Sequence, residues 1–149
     1  MGRLIVMRIT CDEVHWRIVE LNIDHACGLA SLLKIIGERL SIFGVPDVVD
    51  VMVYGNYDTV KHALGGSVII ERSLVPGLFS RAILIGGIPY ASIEDLVVSV
   101  VVNTDIPWYV AIIKDLMRNS NVRNNLRWEW INEVLSRFGV MGLLNKIIS

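Results

Sequence analysis

Nineteen isoleucines and twenty valines in 149 residues make this chain dense in branched apolar side chains, yet no stretch free of Asp, Glu, Lys and Arg exceeds the twelve residues of 82–93. That stretch itself holds Gly86, Gly87 and Pro89. A membrane-spanning helix needs about 18 or more consecutive apolar residues, so none is expected. Disorder is excluded from the opposite side, because mean hydropathy is +0.53 and the formal net charge is only −1. What remains is a chain of short apolar segments, each broken by turn residues or charge, which must bury itself in a core. The expectation is one α/β domain over residues 1–149, a mixed β-sheet of about four to five strands with helices packed on it and C-terminal helices.

Residues 3–10 form an apolar run, 11–13 a turn, and residues 14–23 alternate Val14, Trp16 and Ile18 against His15, Arg17 and Val19, which predicts an opening hairpin. Leu29, Leu32, Leu33, Ile36 and Leu40 recur at spacings of three and four, predicting an amphipathic helix that stops at Gly44 and Pro46. Residues 48–54 read as a buried strand, followed by Gly55 and a helix capped by Asn56 and closed at Gly65-Gly66. Residues 81–85 read as a further strand. Ser92 is placed to cap a helix through Ile93, Leu96, Val97, Val100 and Val101, although the valines at 96–102 also suit a strand. Thr104 or Asp105 is placed to cap a helix with Pro107 at its first position, ended at 119–121. Leu126, Trp130, Val134, Leu135 and Phe138 mark a last long helix that stops at Gly139, with an apolar tail of Leu143, Leu144, Ile147 and Ile148.

The N-terminus has no uninterrupted apolar region before Arg8, Asp12 and Glu13, so it does not read as a signal peptide, and a cytoplasmic protein is expected. In such a compartment Cys11 and Cys27 are expected as reduced thiols rather than a bridge. The chain lacks Gln altogether, which leans toward a thermophilic source. Cys11, His15, His25 and Cys27 are the right types for tetrahedral zinc, but their spacing matches no usual finger. On a strand, residues four apart lie about 13 Å from each other, so no metal is expected. The Gly55-Asn56-Tyr57-Asp58 junction could offer a helix N-terminus to a phosphate, but it is no P-loop, and Asp58 already meets that positive end. Asp47 and Asp50 lack a third ligand and read as loop and edge residues. No cofactor motif and no nucleophile elbow occur, so no catalytic residue is assigned.

Charge is lopsided, with net −4 over residues 1–113 and net +3 over 114–149. In the basic part Arg118, Arg123 and Arg127 stand beside Trp128 and Trp130, a mixture of guanidinium and indole groups that suits phosphate contact and base stacking. Arg123 and Arg127 are expected on one helix face.

Ala26-Cys27-Gly28-Leu29-Ala30-Ser31-Leu32-Leu33, then Val51-Met52-Val53-Tyr54-Gly55 and Lys61-His62-Ala63-Leu64-Gly65, follow one another with the spacing of a known pattern. Ala82-Ile83-Leu84-Ile85-Gly86 and Val134-Leu135-Ser136-Arg137 extend it. In these segments the chain resembles the small accessory subunit of the KEOPS complex, the family that includes the PRPK-binding protein. It departs from the family pattern at Asp58-Thr59-Val60, where the family has Arg-Gln-Ile, and at Ser31, where it has His. The resemblance implies a non-catalytic accessory subunit of a complex that makes threonylcarbamoyladenosine in tRNA, binding a protein kinase-like subunit through its terminal helices. Val134, Leu135, Arg137, Leu143, Leu144 and Ile147 are the expected partner surface, and Arg118, Arg123 and Arg127 the expected tRNA contact. Two alternatives stand beside this reading. One is a self-associating structural or viral protein forming a homo-oligomer through the apolar tail and 96–102; the other is a small phosphate-ligand-binding enzyme using Gly55, Asn56 and Asp58.

Overall fold

The computed structural model describes residues 10–36 and 44–148, so residues 3–9 of the predicted first strand, Leu40 and the side chain of Ile148 lie outside the described residues. The chain folds around a sheet of order β3-β2-β1-β5-β4, built from β1 (His25–Cys27), β2 (Val49–Val53), β3 (Val68–Arg72), β4 (Ile83–Ile85) and β5 (Ile88–Tyr90). β1 pairs antiparallel with β2 and parallel with β5, β2 pairs parallel with β3, and β4 with β5 antiparallel. The sheet is therefore mixed, as expected. β2 sits inside it with all five residues buried, so apolar residues fall on both of its faces, Val49, Val51 and Val53 on one and Met52, beside Asp50, on the other.

The predicted opening hairpin is corrected by the structure. Residues 14–23 do not form a strand: helix α1 spans Cys11–Glu20, and Thr10 Oγ1 accepts from the Glu13 N–H at its start. Cys11, Val14, His15 and Ile18, spaced by three and four, are its buried face, whereas Trp16 is 57% exposed. The alternation of Val14, Trp16 and Ile18 imitated a strand because two members of the true inward stripe were hidden, His15 by its polar ring and Cys11 by its place in the expected turn at 11–13.

Helix α2 (Leu29–Ile36) follows β1 directly. Helix α3 (Tyr57–Leu64) carries the chain from β2 to its parallel neighbour β3, a strand–helix–strand crossover. Asn56 precedes α3 in the left-handed region after Gly55 (φ +72°) and makes no side-chain capping bond. The short α4 (Leu78–Arg81) leads into β4. Residues 96–102 are helical, inside α5 (Ile93–Val102), whose cap is Ser92 as predicted: its Oγ accepts from the Asp95 N–H at 3.1 Å. In α6 (Pro107–Arg118) Pro107 opens the helix, but Ile106 and not Thr104 or Asp105 is the capping residue. α7 (Ser120–Asn124), α8 (Trp128–Arg137) and α9 (Met141–Ile148) complete the described elements.

Two apolar layers cover the sheet. On one face Val14 and Ile18 of α1 and Val60 and Leu64 of α3 pack on Cys27, Val51 and Val53. On the other, Leu29, α5, α6, α8 and α9 gather over Ala26 and Met52, with Tyr109, Ile113, Met117 and Ile131 fully buried. Alternate residues of β1 and β2 thus serve opposite layers. Among the described residues no helix is long and apolar enough to cross a membrane.

Candidate functional site

Of the three arginines predicted as a nucleic-acid contact, Arg127 lines a cleft of about 460 Å³ between α4, the start of α5, and the α7–α8 turn. Arg127, Asn125 and Trp130 line it from one side, Arg81, Ser92 and Glu94 from the other. Arg81 is held rigidly. Its Nε and Nη2 donate to the two oxygens of Asp95 at 2.9 and 2.8 Å, its Nη1 donates to the Pro76 carbonyl at 2.7 Å, and its guanidinium lies 4.5 Å over the Trp130 ring. Asp95 is buried, so this two-pronged pair is short and charge-assisted, and it fixes the indole in the cleft wall.

Arg118, Arg123 and Arg127 are all exposed. Arg123 and Arg127 do not share a helix face, which corrects the expectation: α7 ends at Asn124, and Arg127 precedes the first residue of α8. The break is stabilised locally, since Trp128 Nε1 donates to the Arg123 carbonyl at 2.7 Å and Asn125 Nδ2 to the Asn121 carbonyl at 2.6 Å. The backbone N–H of Arg127 donates to Glu94 Oε2 at 3.1 Å, which places one carboxylate in the cleft wall beside Arg127.

Of the six side chains expected at a partner surface, Val134, Leu135, Leu144 and Ile147 are buried in the chain's own core. α9 docks on α5, α6 and α8, so its apolar side chains face inward and those four are withdrawn from any surface. Leu143 is half-buried, and Arg137 is exposed with its Nη2 3.0 Å from Glu133 Oε1. Gly55, Asn56 and Asp58 are exposed at the start of α3, where Arg72 stacks 4.2 Å over the ring of Tyr57.

Cys11, His15, His25 and Cys27 do come together. The sulfurs of Cys11 and Cys27 are joined in a disulfide, with Cα atoms 6.3 Å apart, which corrects the expectation of two reduced thiols. Nδ1 of His15 lies 2.8 Å from Nε2 of His25. Desolvation by burial holds both imidazoles below their usual pKa, so both are neutral near pH 7.

Sequence reasoning missed two neighbouring acids on the other face of the sheet, buried Asp50 and half-buried Glu71. Asp50 is not an edge residue but the second residue of β2, a strand inside the sheet, and is 1% exposed. Its Oδ2 accepts from the Ala30 N–H at 3.1 Å, and its Oδ1 from the Ser31 N–H and Oγ, both at 2.8 Å. Burial raises its pKa, opposed by those hydrogen bonds. The approach demands glycine at position 28, where a Cβ would stand 2.5 Å from Asp50 Oδ2. Glu71 of β3, paired in register with Met52, accepts from Ser99 Oγ at 3.3 Å. Burial first, and the neighbouring Asp50 second, push its carboxyl up to about 8. Glu71 therefore holds a proton at neutral pH. The available signal was an acid on the same strand parity as Met52, within otherwise apolar strands.

Compared with protein-family models, with curated proteins and with solved structures, the chain matches none of them. The likeness to the KEOPS accessory subunit rests on its short motifs.

Proposed function

We propose that the chain is a non-catalytic accessory subunit of a tRNA-modification assembly, the role implied by the motif resemblance, and that it meets RNA at the Arg/Trp cleft. The observation that carries the RNA contact is the exposure of Arg118, Arg123 and Arg127 along the α6–α7–α8 turns, of which Arg127 lines the cleft that Trp130 walls. Guanidinium groups neutralise backbone phosphates, and an indole braced by Arg81 offers a platform for an unpaired base. With four of its six expected residues buried, the protein-binding surface narrows to Arg137 and Leu143. The test is affinity purification of tagged protein from a lysate of the source cells, with and without RNase. Recovery of tRNA with the wild type, abolished in the Arg118/Arg123/Arg127→Glu variant, together with an RNase-resistant kinase-like subunit, supports the reading. Recovery of neither overturns it.

Self-association is favoured by one separate observation. β4 is an edge strand, and Ile83 and Leu84 are 40% and 60% exposed on it, the kind of edge that pairs with another chain. Light scattering across a hundredfold concentration range separates the two: a monomer at every concentration eliminates the oligomer reading.

A further inference from the structure

α1 carries Cys-x3-His and β1 carries His-x-Cys, and the two elements face each other so that Cys11 meets Cys27 and His15 meets His25. One helical turn and one two-residue strand step therefore present two sulfurs and two imidazoles across a single contact. All four side chains are buried, beside an apolar layer that includes Val14, Ile18, Val51 and Val53. Apolar packing gives no reason for two histidines there. The Nδ1–H of His25 donates to the Ile23 carbonyl at 2.8 Å, which leaves Nε2 unprotonated and aimed at His15. An imidazole anchored to a backbone carbonyl through one nitrogen, with the other bare and turned inward, is the usual preparation of a metal-ligating histidine. While the sulfurs are bonded to each other, no group of three or more such ligands among the described residues is set to hold a metal.

We propose that reduction of the Cys11–Cys27 disulfide opens a zinc site in which the two thiolates, His15 Nδ1 and His25 Nε2 bind one Zn²⁺. The α1–β1 contact is then closed by a disulfide under oxidising conditions and by zinc under reducing ones. The exchange balances: a dithiol reductant gives two electrons and two protons to the bridge, becomes a disulfide itself, and leaves two cysteine thiols. Zinc binding then releases both thiol protons to solvent, and the metal stays divalent throughout. Two thiolates neutralise the ion, so the occupied site carries no net charge into the apolar layer, and a donor set of two sulfurs and two nitrogens suits tetrahedral zinc. Bond lengths of about 2.3 Å to sulfur and about 2.0 Å to nitrogen require the ligand atoms to stand roughly 3.3–3.8 Å apart. From 2.8 Å the imidazoles need move apart only slightly, while the released sulfurs separate by side-chain rotation. His15 passes its ring proton to Nε2.

The experiment titrates the full chain with Co²⁺ and then Zn²⁺ before and after anaerobic treatment with a non-chelating reductant, followed by absorbance, circular dichroism and metal analysis. The oxidised protein is expected to bind neither ion. The reduced protein should take one equivalent of Co²⁺ with thiolate charge-transfer and tetrahedral d–d bands, lose them to one equivalent of Zn²⁺, and melt at higher temperature with zinc than without. His25→Gln and His15→Asn, each checked for native circular dichroism, should weaken binding by roughly 10-fold or more. Reduced wild type that stays folded yet shows no thiolate–cobalt band overturns the proposal. So does reduced protein that unfolds and is not refolded by one equivalent of zinc, or unchanged affinity in both folded histidine variants.

Discussion

Glu71 gives the chain a pH dependence of definite sign. Its carboxyl is pushed up to about 8 in the folded protein, against 4.5 for an unperturbed glutamate, because the carboxyl is withdrawn from water beside Ser99 of α5 with Asp50 nearby. Between those values the folded state keeps a proton that the unfolded state has released. Stability from this group is complete below about pH 4.5, falls by about 1.4 kcal/mol per pH unit, and is fully lost once pH passes about 8. Over the roughly two and a half pH units from the unperturbed value to neutrality the loss reaches about 3 kcal/mol as an upper bound. Glu71→Gln removes the ionisable group and keeps an oxygen to accept from Ser99. Urea unfolding of wild type and variant at pH 5, 6, 7 and 8 should show the variant gaining on the wild type at each step, with the largest gain at pH 8. A gap that stays constant, or that favours the wild type increasingly as pH rises, refutes the burial argument.

Gly28→Ala should destabilise by about 1–3 kcal/mol, the range for overpacking, since the new Cβ displaces the Asp50 carboxylate from Ala30 and Ser31; thermal melting compared with Gly66→Ala, where a Cβ meets nothing within 4 Å, checks it. Asp24 accepts from the N–H groups of Gly77, Leu78 and Phe79 at 2.7, 3.0 and 3.0 Å and so ties α4 to the start of β1. Asp24→Ala should cost about 2 kcal/mol in urea unfolding, with faster amide exchange confined to residues 77–81.

Where local chemistry decides, the sequence was readable. Ser92 before an acid-rich first turn and Pro107 at a helix start are stereochemical signals, and both landed where expected. β2 was legible because burial on both faces leaves it apolar at every position but Asp50. β1 and β5 have three residues each, too few for any period to show, and they exist only because the sheet pairs them. α1 was misread because its inward stripe contains Cys11 and His15, and the same mistake separated the four ligand-type residues. Spacing four keeps them far apart on a strand but stacks them one turn apart on a helix. The chain end illustrates a different limit. An apolar tail fits a partner groove or its own core equally well on paper, and only the tertiary fold buries Leu144 and Ile147. Asp50 and Glu71 gave a weak signal, acids on core parity, whose meaning depended on the register of β2 against β3.

Binding of RNA by the α6–α7–α8 rim, through backbone phosphates, is tested most directly by measuring the affinity of purified protein for labelled tRNA across salt concentrations, with wild type and the Arg118/Arg123/Arg127→Glu variant. The expected result is weaker binding by the variant and a slope of log affinity on log salt shallower by about 2–3, a step of roughly 0.7–0.9 for each phosphate that the variant no longer neutralises. Equal affinities and equal slopes for the two proteins, or no binding by the wild type at low salt, would contradict it.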